Sequence, residues 1–207
     1  KVNQNIRVGD IVTIKQQFKN LEKDCLTGKA LDDRAGLLVI LNTLQELTKL
    51  RHQADVYPVA TVQEEVGIRG AITSTYDIIP DIGVAIDVCH ATMPGVSKEE
   101  ASELGEGPAI GLGPHIHPEL FTKFKTIGEE LNLDYQLEPS STPGGTDAYA
   151  IQVTRSGIPT ALISIPLRYM HTSVETADLT DIKQASRLLA RTIAELDAEF
   201  VEGLECF

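Results

Sequence analysis

With 207 residues, 42% of them hydrophobic, the chain can bury the core of one large domain or two small ones. Thirty acidic against eighteen basic residues leave a net charge of −12, which disfavours non-specific binding to nucleic acid or to anionic membranes. No signal-peptide pattern is visible, and no apolar run reaches the roughly 18–20 residues of a bilayer span. Cys25, Cys89 and Cys206 are widely spaced without a C-x-x-C, so the reading is a cytoplasmic protein with neither a disulfide framework nor a thiolate zinc site.

Asp10 to Ile14 alternates like a half-buried strand, and the polar stretch on to Lys29 suggests a hairpin turning near Asn20. From Ala35 to Lys49 the residues Leu37, Ile40, Leu41, Leu44 and Leu47 recur at helical spacing, with Asp32 or Asp33 placed to cap the start. Val56 to Val62 reads as a buried strand, with a short helix after Gly67, and Ile82 to Ile86 as another strand ending at Asp87. Residues 108–114, rich in Gly and Pro, read as a loop or irregular strand. A helix is expected over Glu119 to Leu131, a strand over Tyr135 to Leu137 and a helix over 146–155. Thr160 to Ile165 is a third buried strand, and a last helix carries Ile182, Ala185, Leu189, Ile193, Leu196 and Phe200 on one face. Buried strands alternating with amphipathic helices imply an α/β fold, a largely parallel or mixed sheet sandwiched by helices.

The adjacent pair Glu64-Glu65 closes an apolar run and is followed by Val66-Gly67. Neighbours on a regular strand point to opposite faces, so both serve one site only if the backbone is turning there, which Gly67 permits. Two like charges this close call for a cation, and the pair suggests a metal-hydrolysis centre with one Glu as ligand and the other as base. Glu64, Glu65 and Asp87 sit at expected strand ends, and His171 lies a few residues beyond one, where α/β folds gather their ligand loops. Carboxylate plus imidazole suits zinc, cobalt or manganese. Taken singly, Asp32 and Asp33 read as helix caps, Asp87 as a turn former and His171 as a surface group. A further pair, His115-Ile116-His117, could bind zinc from one strand face, but no carboxylate is near it in sequence.

Four segments together resemble the dinuclear-metal aminopeptidases of peptidase family M42. They are Gly28-Lys29-Ala30-Leu31-Asp32-Asp33-Arg34, Glu64-Glu65-Val66-Gly67, Gly144-Gly145-Thr146-Asp147-Ala148 and Arg168-Tyr169-Met170-His171-Thr172-Ser173-Val174-Glu175. The resemblance runs from about Val8 to Leu196. It implies an aminopeptidase that hydrolyses N-terminal residues from peptides with two divalent metal ions, zinc, cobalt or manganese. Asp32 would bridge the metals, Glu64 would be the general base, Glu65 and His171 would complete one metal's shell, and Asp87 would bind the other. Asp147 would orient substrate or support the ligands.

The family also supplies a ligand from a His-x-Asp segment upstream of the Asp-Asp-Arg motif, and no histidine precedes Asp32 here. The resemblance thus implies a shortened chain. Residues 1–28 would be the tail of an inserted β-rich dimerisation domain, and 29–207 the catalytic domain without its first segment. One metal site would be well occupied and the other weak. The alternative function is a fragment that binds one metal as a structural or interaction module. For the complete protein the resemblance implies a homo-oligomer, from dimer to dodecamer.

Overall fold

The computed structural model describes residues 5–142 and 144–204, so Cys206 lies outside it. At its centre is strand β6 (Thr160–Leu167), all eight of whose residues are buried. A strand covered on both faces has no reason to alternate apolar with polar residues, which is why this segment reads as one apolar run. It pairs in parallel with β3 (Gly83–His90) along its whole length, from Gly83↔Thr160 to His90↔Leu167. On its other side it pairs antiparallel with β4 (Ala109–Leu112), and β4 pairs in parallel with β5 (Gln136–Pro139). The order β3-β6-β4-β5 makes the mixed sheet that the sequence suggests.

Helices cover both faces. Ala161, Ile163, Ile165 and Leu167 of β6 pack with Val39 of α1 (Leu31–Leu47), Phe124 and Ile127 of α3 (Pro118–Glu130), and Ile182, Ala185 and Leu188 of α5 (Leu179–Ala194). Leu162, pointing the other way by the two-residue period of a strand, joins Ala85, Ile116 and Ala148 of α4 (Asp147–Gln152). A short helix α2 (Arg69–Ile78) follows Gly67, and α6 (Ala198–Gly203) closes the described chain. A small antiparallel sheet, β1-β2-β7, joins β1 (Lys19–Asn20) and β2 (Cys25–Gly28) to β7 (Glu175–Asp178). No helix among the described residues is long and apolar enough to cross a membrane.

Five expectations need correction. Asp10 to Ile14 forms no strand: Ile11 and Val12 are 92% and 83% exposed, and the hairpin is built later, by β1 and β2 around residues 21–24. Val56 to Val62 is extended but neither buried nor paired, since residues 55–61 make no backbone–backbone hydrogen bond among the described residues and Tyr57 and Val62 stand exposed. Asp87 does not end its strand, because pairing with β6 carries β3 on to His90. In α1 the buried stripe is Ala35, Val39, Thr43 and Leu47, while Leu37 and Leu41 face outward; Leu37 to Leu41 is a continuous apolar run, so periodicity there could not choose its face. Finally, the last helix is two, because α5 ends at Ala194 and the Asp197 carboxylate caps a new start by accepting from Phe200 N at 2.8 Å.

Candidate functional site

Three irregular stretches of backbone meet beyond the carboxyl ends of β3 and β6. The first opens α1. Ala30 takes a left-handed φ of 55°, the Asp32-Asp33 peptide is cis, and both aspartates have non-helical dihedrals. The Asp33 carboxylate accepts from Gly36 N at 2.8 Å, so capping falls to Asp33 and Asp32 is left to face the site. A Cβ on Gly36 would collide with that carboxylate, which explains the glycine inside the first turn.

The second stretch is a single tight turn, Glu64–Val66, framed by Gln63 (φ 61°), Gly67 (φ 119°) and Ile68 (φ 48°). The Glu64 carbonyl accepts from Gly67 N at 3.0 Å and Ile68 N at 2.8 Å, which closes the turn. The extended run stops here, leaving Glu64 half-buried and Glu65 exposed. The third stretch is the loop from β6 to β7, closed at its base by the Arg168↔Thr176 bridge, with Tyr169 (φ 57°) and His171 (φ 61°) in left-handed conformations. Non-glycine residues adopt that region at the expense of strain, and such residues collect where surrounding structure holds a functional geometry.

His171 Nε2 lies 3.0 Å from Asp32 Oδ2 and 3.3 Å from Glu65 Oε2. One ligand atom from each of the three residues falls within 4.8 Å of the others. The Asp32 side chain is only 9% exposed, against 55% for Glu65 and 64% for His171, so the group is buried on one side and open to solvent on the other.

Four further carboxylates, Asp33, Glu64, Asp87 and Asp147, share this field. Burial is the first cause of every shift. It raises Asp32 to about 6, with the Glu65 charge adding to it and His171 opposing it. Glu64 rises to about 7, pushed next by the charges of Asp147, Glu65 and Asp32. Asp33 rises to about 7 and Asp87 to about 8, although Gly36 N and Val88 N respectively donate to them and offset part of the effect. Burial also raises Asp147, against the Thr61 hydroxyl that donates to its Oδ2 at 2.7 Å; its Oδ1 is buried without a partner among the described residues. Crowded carboxylates held this far above their ordinary range favour a cation in their midst. The donor set of one imidazole and two carboxylates fits a divalent transition metal.

Asp87 lies outside the three-residue ligand group, yet the charges of Asp33, Glu64 and Asp32 all act on it. Asp147 opens α4 and is tied to the extended segment through Thr61. Sequence reasoning passed over Thr61, treated Asp33 as a cap alone and gave no role to Glu175, whose buried carboxylate accepts from the backbones of both Asp32 and His171. No local pattern marked Glu175, because its strand, Glu-Thr-Ala-Asp, holds a single apolar residue. Among the described residues, the His115-Ile116-His117 pair joins no group of three potential metal ligands. His115 is buried, and burial lowers its pKa, whereas His117 Nδ1 accepts from Glu119 N and caps α3.

An α/β sheet that gathers an imidazole and clustered carboxylates beyond its strand ends defines a class, the α/β proteins with a candidate metal site there. Within it the chain belongs to the M42 glutamyl aminopeptidase family, which it matches over residues 1–188. It is 38% identical over 190 residues to the lysyl aminopeptidase of Pyrococcus furiosus, covering 92% of this chain and 54% of that one. The fold is similar to that of aminopeptidase APDkam598 from Desulfurococcus kamchatkensis, with a TM-score of 0.90 and 40% identity, covering 99% of this chain and 58% of that one. It also resembles the Pyrococcus horikoshii TET1 peptidase, which can assemble into a tetrahedron or a large octahedral shell (TM-score 0.78, 28% identity, 93% and 57% covered). The chain thus spans a little more than half the length of these relatives.

Proposed function

We propose that this chain carries the proton-transferring and metal-ligating groups of an aminopeptidase that removes N-terminal residues from peptides. The observation that carries the reading is the Asp32–Glu65–His171 ligand group with Glu64 in the same turn, half-buried and held near neutral pKa. A divalent ion held there would supply Lewis-acid polarisation of the scissile carbonyl and acidify the attacking water. Glu64 takes that water's proton at a carboxylate oxygen and delivers it to the leaving amine. Without metal Glu64 sits at a pKa of about 7, and a bound cation would lower it, leaving the carboxylate ionised and able to accept that proton.

Asp32 would contribute to both metal positions, and Asp87 would hold the second. Asp147 keeps Glu64 basic through its charge and is itself oriented by Thr61. The family membership and the aminopeptidase relatives support this assignment, and the shell-forming relative supports a homo-oligomeric assembly of the complete protein.

The test is Glu64→Gln, assayed on aminoacyl-p-nitroanilides with added cobalt or zinc. Gln keeps the shape but cannot accept the proton, so kcat should fall about 10²–10⁴-fold, the usual contribution of a general base, with metal content unchanged. Full activity in the variant would remove Glu64 from the mechanism.

A further inference from the structure

We infer that Glu175 is a positioning residue: its one buried carboxylate locks the Asp32 and His171 backbones together and so sets the spacing of the metal ligands. The inference rests on the metal reading above. Glu175 is 2% exposed. Its Oε2 accepts from Leu31 N at 2.6 Å and Asp32 N at 3.2 Å, and its Oε1 accepts from His171 N at 2.9 Å. Asp32 lies 143 residues away in sequence, so the carboxylate ties together two segments that no strand pairing joins at these residues.

Its own backbone is anchored on both sides. Glu175 pairs with Gly28 in the small sheet, and its neighbour Thr176 bridges to Arg168 at the base of the His171 loop. The side chain therefore extends from a rigid element to two strained ones, where Ala30 and His171 hold φ values of 55° and 61°. A carboxylate suits this place because its three hydrogen-bond partners among the described residues are all backbone N–H donors. Both oxygens accept, and charge-assisted bonds of this kind are shorter and stronger than neutral ones. An amide cannot replace it, since whichever way Gln is turned its NH₂ meets an N–H and one of the two segments is released.

The experiment titrates the metal-free 207-residue chain with Co²⁺, following visible absorbance, and measures its thermal unfolding without metal. Wild type, Glu175→Gln, Glu175→Asp and Asp181→Asn are compared. Asp181 is the internal control, an equally buried carboxylate that accepts from Gly105 N and Gly107 N, outside the site. Glu175→Gln should bind Co²⁺ about 10–100-fold more weakly, the range found when groups supporting metal ligands are lost. Its Co²⁺ spectrum should change as well. Glu175→Asp, too short to reach both segments, should behave alike, while Asp181→Asn loses stability with unaltered Co²⁺ affinity.

Equal Co²⁺ affinity and spectrum in folded Glu175→Gln would overturn the inference and leave the metal reading intact. So would an equal loss in Asp181→Asn, which would make the effect general loosening, or a Glu175→Gln chain that stays unfolded at saturating Co²⁺. Wild type that takes up no Co²⁺ would instead refute the metal reading beneath it.

Discussion

Binding a divalent ion to this site should expel protons, in a number that follows from the carboxylates' environments. At pH 7 a group with a pKa of about 8, such as Asp87, is about nine-tenths protonated, one of about 7, such as Asp33 or Glu64, is half protonated, and Asp32 at about 6 is about one-tenth protonated. A cation that ionises its ligands and their neighbours therefore releases on the order of one to two protons at pH 7, and well under one at pH 9. The measurement is calorimetric titration with Co²⁺ or Zn²⁺ in buffers of different ionisation enthalpy, which yields proton count and stoichiometry together. The same titrations act on the metal-free fold. Each folded-state pKa lies above its unfolded value, so the native state holds the extra protons, and the stability they confer is present below about pH 4 and lost as pH rises through about 6 to 8. Thermal midpoints of the metal-free chain should fall across that window, and saturating metal should remove the fall. Zero proton release at pH 7, or a metal-free midpoint that rises from pH 5 to 8, would refute the picture of mutually repelling, desolvated carboxylates.

Two other outcomes are expected. Asp147→Asn removes the neighbouring charge that acts most strongly on Glu64, so the ionised form of Glu64 becomes easier to reach and its pKa falls. The acidic limb of the kcat/KM profile should then move to lower pH; a limb that stays in place or moves upward would separate Asp147 from Glu64. Ile163→Ala empties a fully buried position at the centre of β6 and should lower the free energy of unfolding by about 2–5 kcal/mol in a urea titration. A loss within experimental error there would mean that β6 is not the core strand.

The elements most legible in the sequence were those whose own pattern is unambiguous. The run Thr160 to Ile165 reads as a buried strand, which the structure extends to Leu167, and the helix expected over Glu119 to Leu131 forms as Pro118–Glu130 with proline at its first position. Glu64-Glu65-Val66-Gly67 likewise carried its turn, although the stretch before it is extended and unpaired rather than a strand. Other features depend on residues distant in the chain, and no local pattern encodes them. Which stripe of α1 is buried depends on α5 and the sheet packed against it, so Val39 and Thr43 face inward while Leu37 and Leu41 do not. The length of β3 beyond Asp87 comes from β6, more than seventy residues later in the chain. The carboxylate of Glu175 finds two of its three donors 143 and 144 residues upstream, because burial makes it accept from whatever N–H groups the fold brings within reach. Residue chemistry nominated Asp32, Glu65 and His171, but packing set the distances between them, and metal binding depends on those distances.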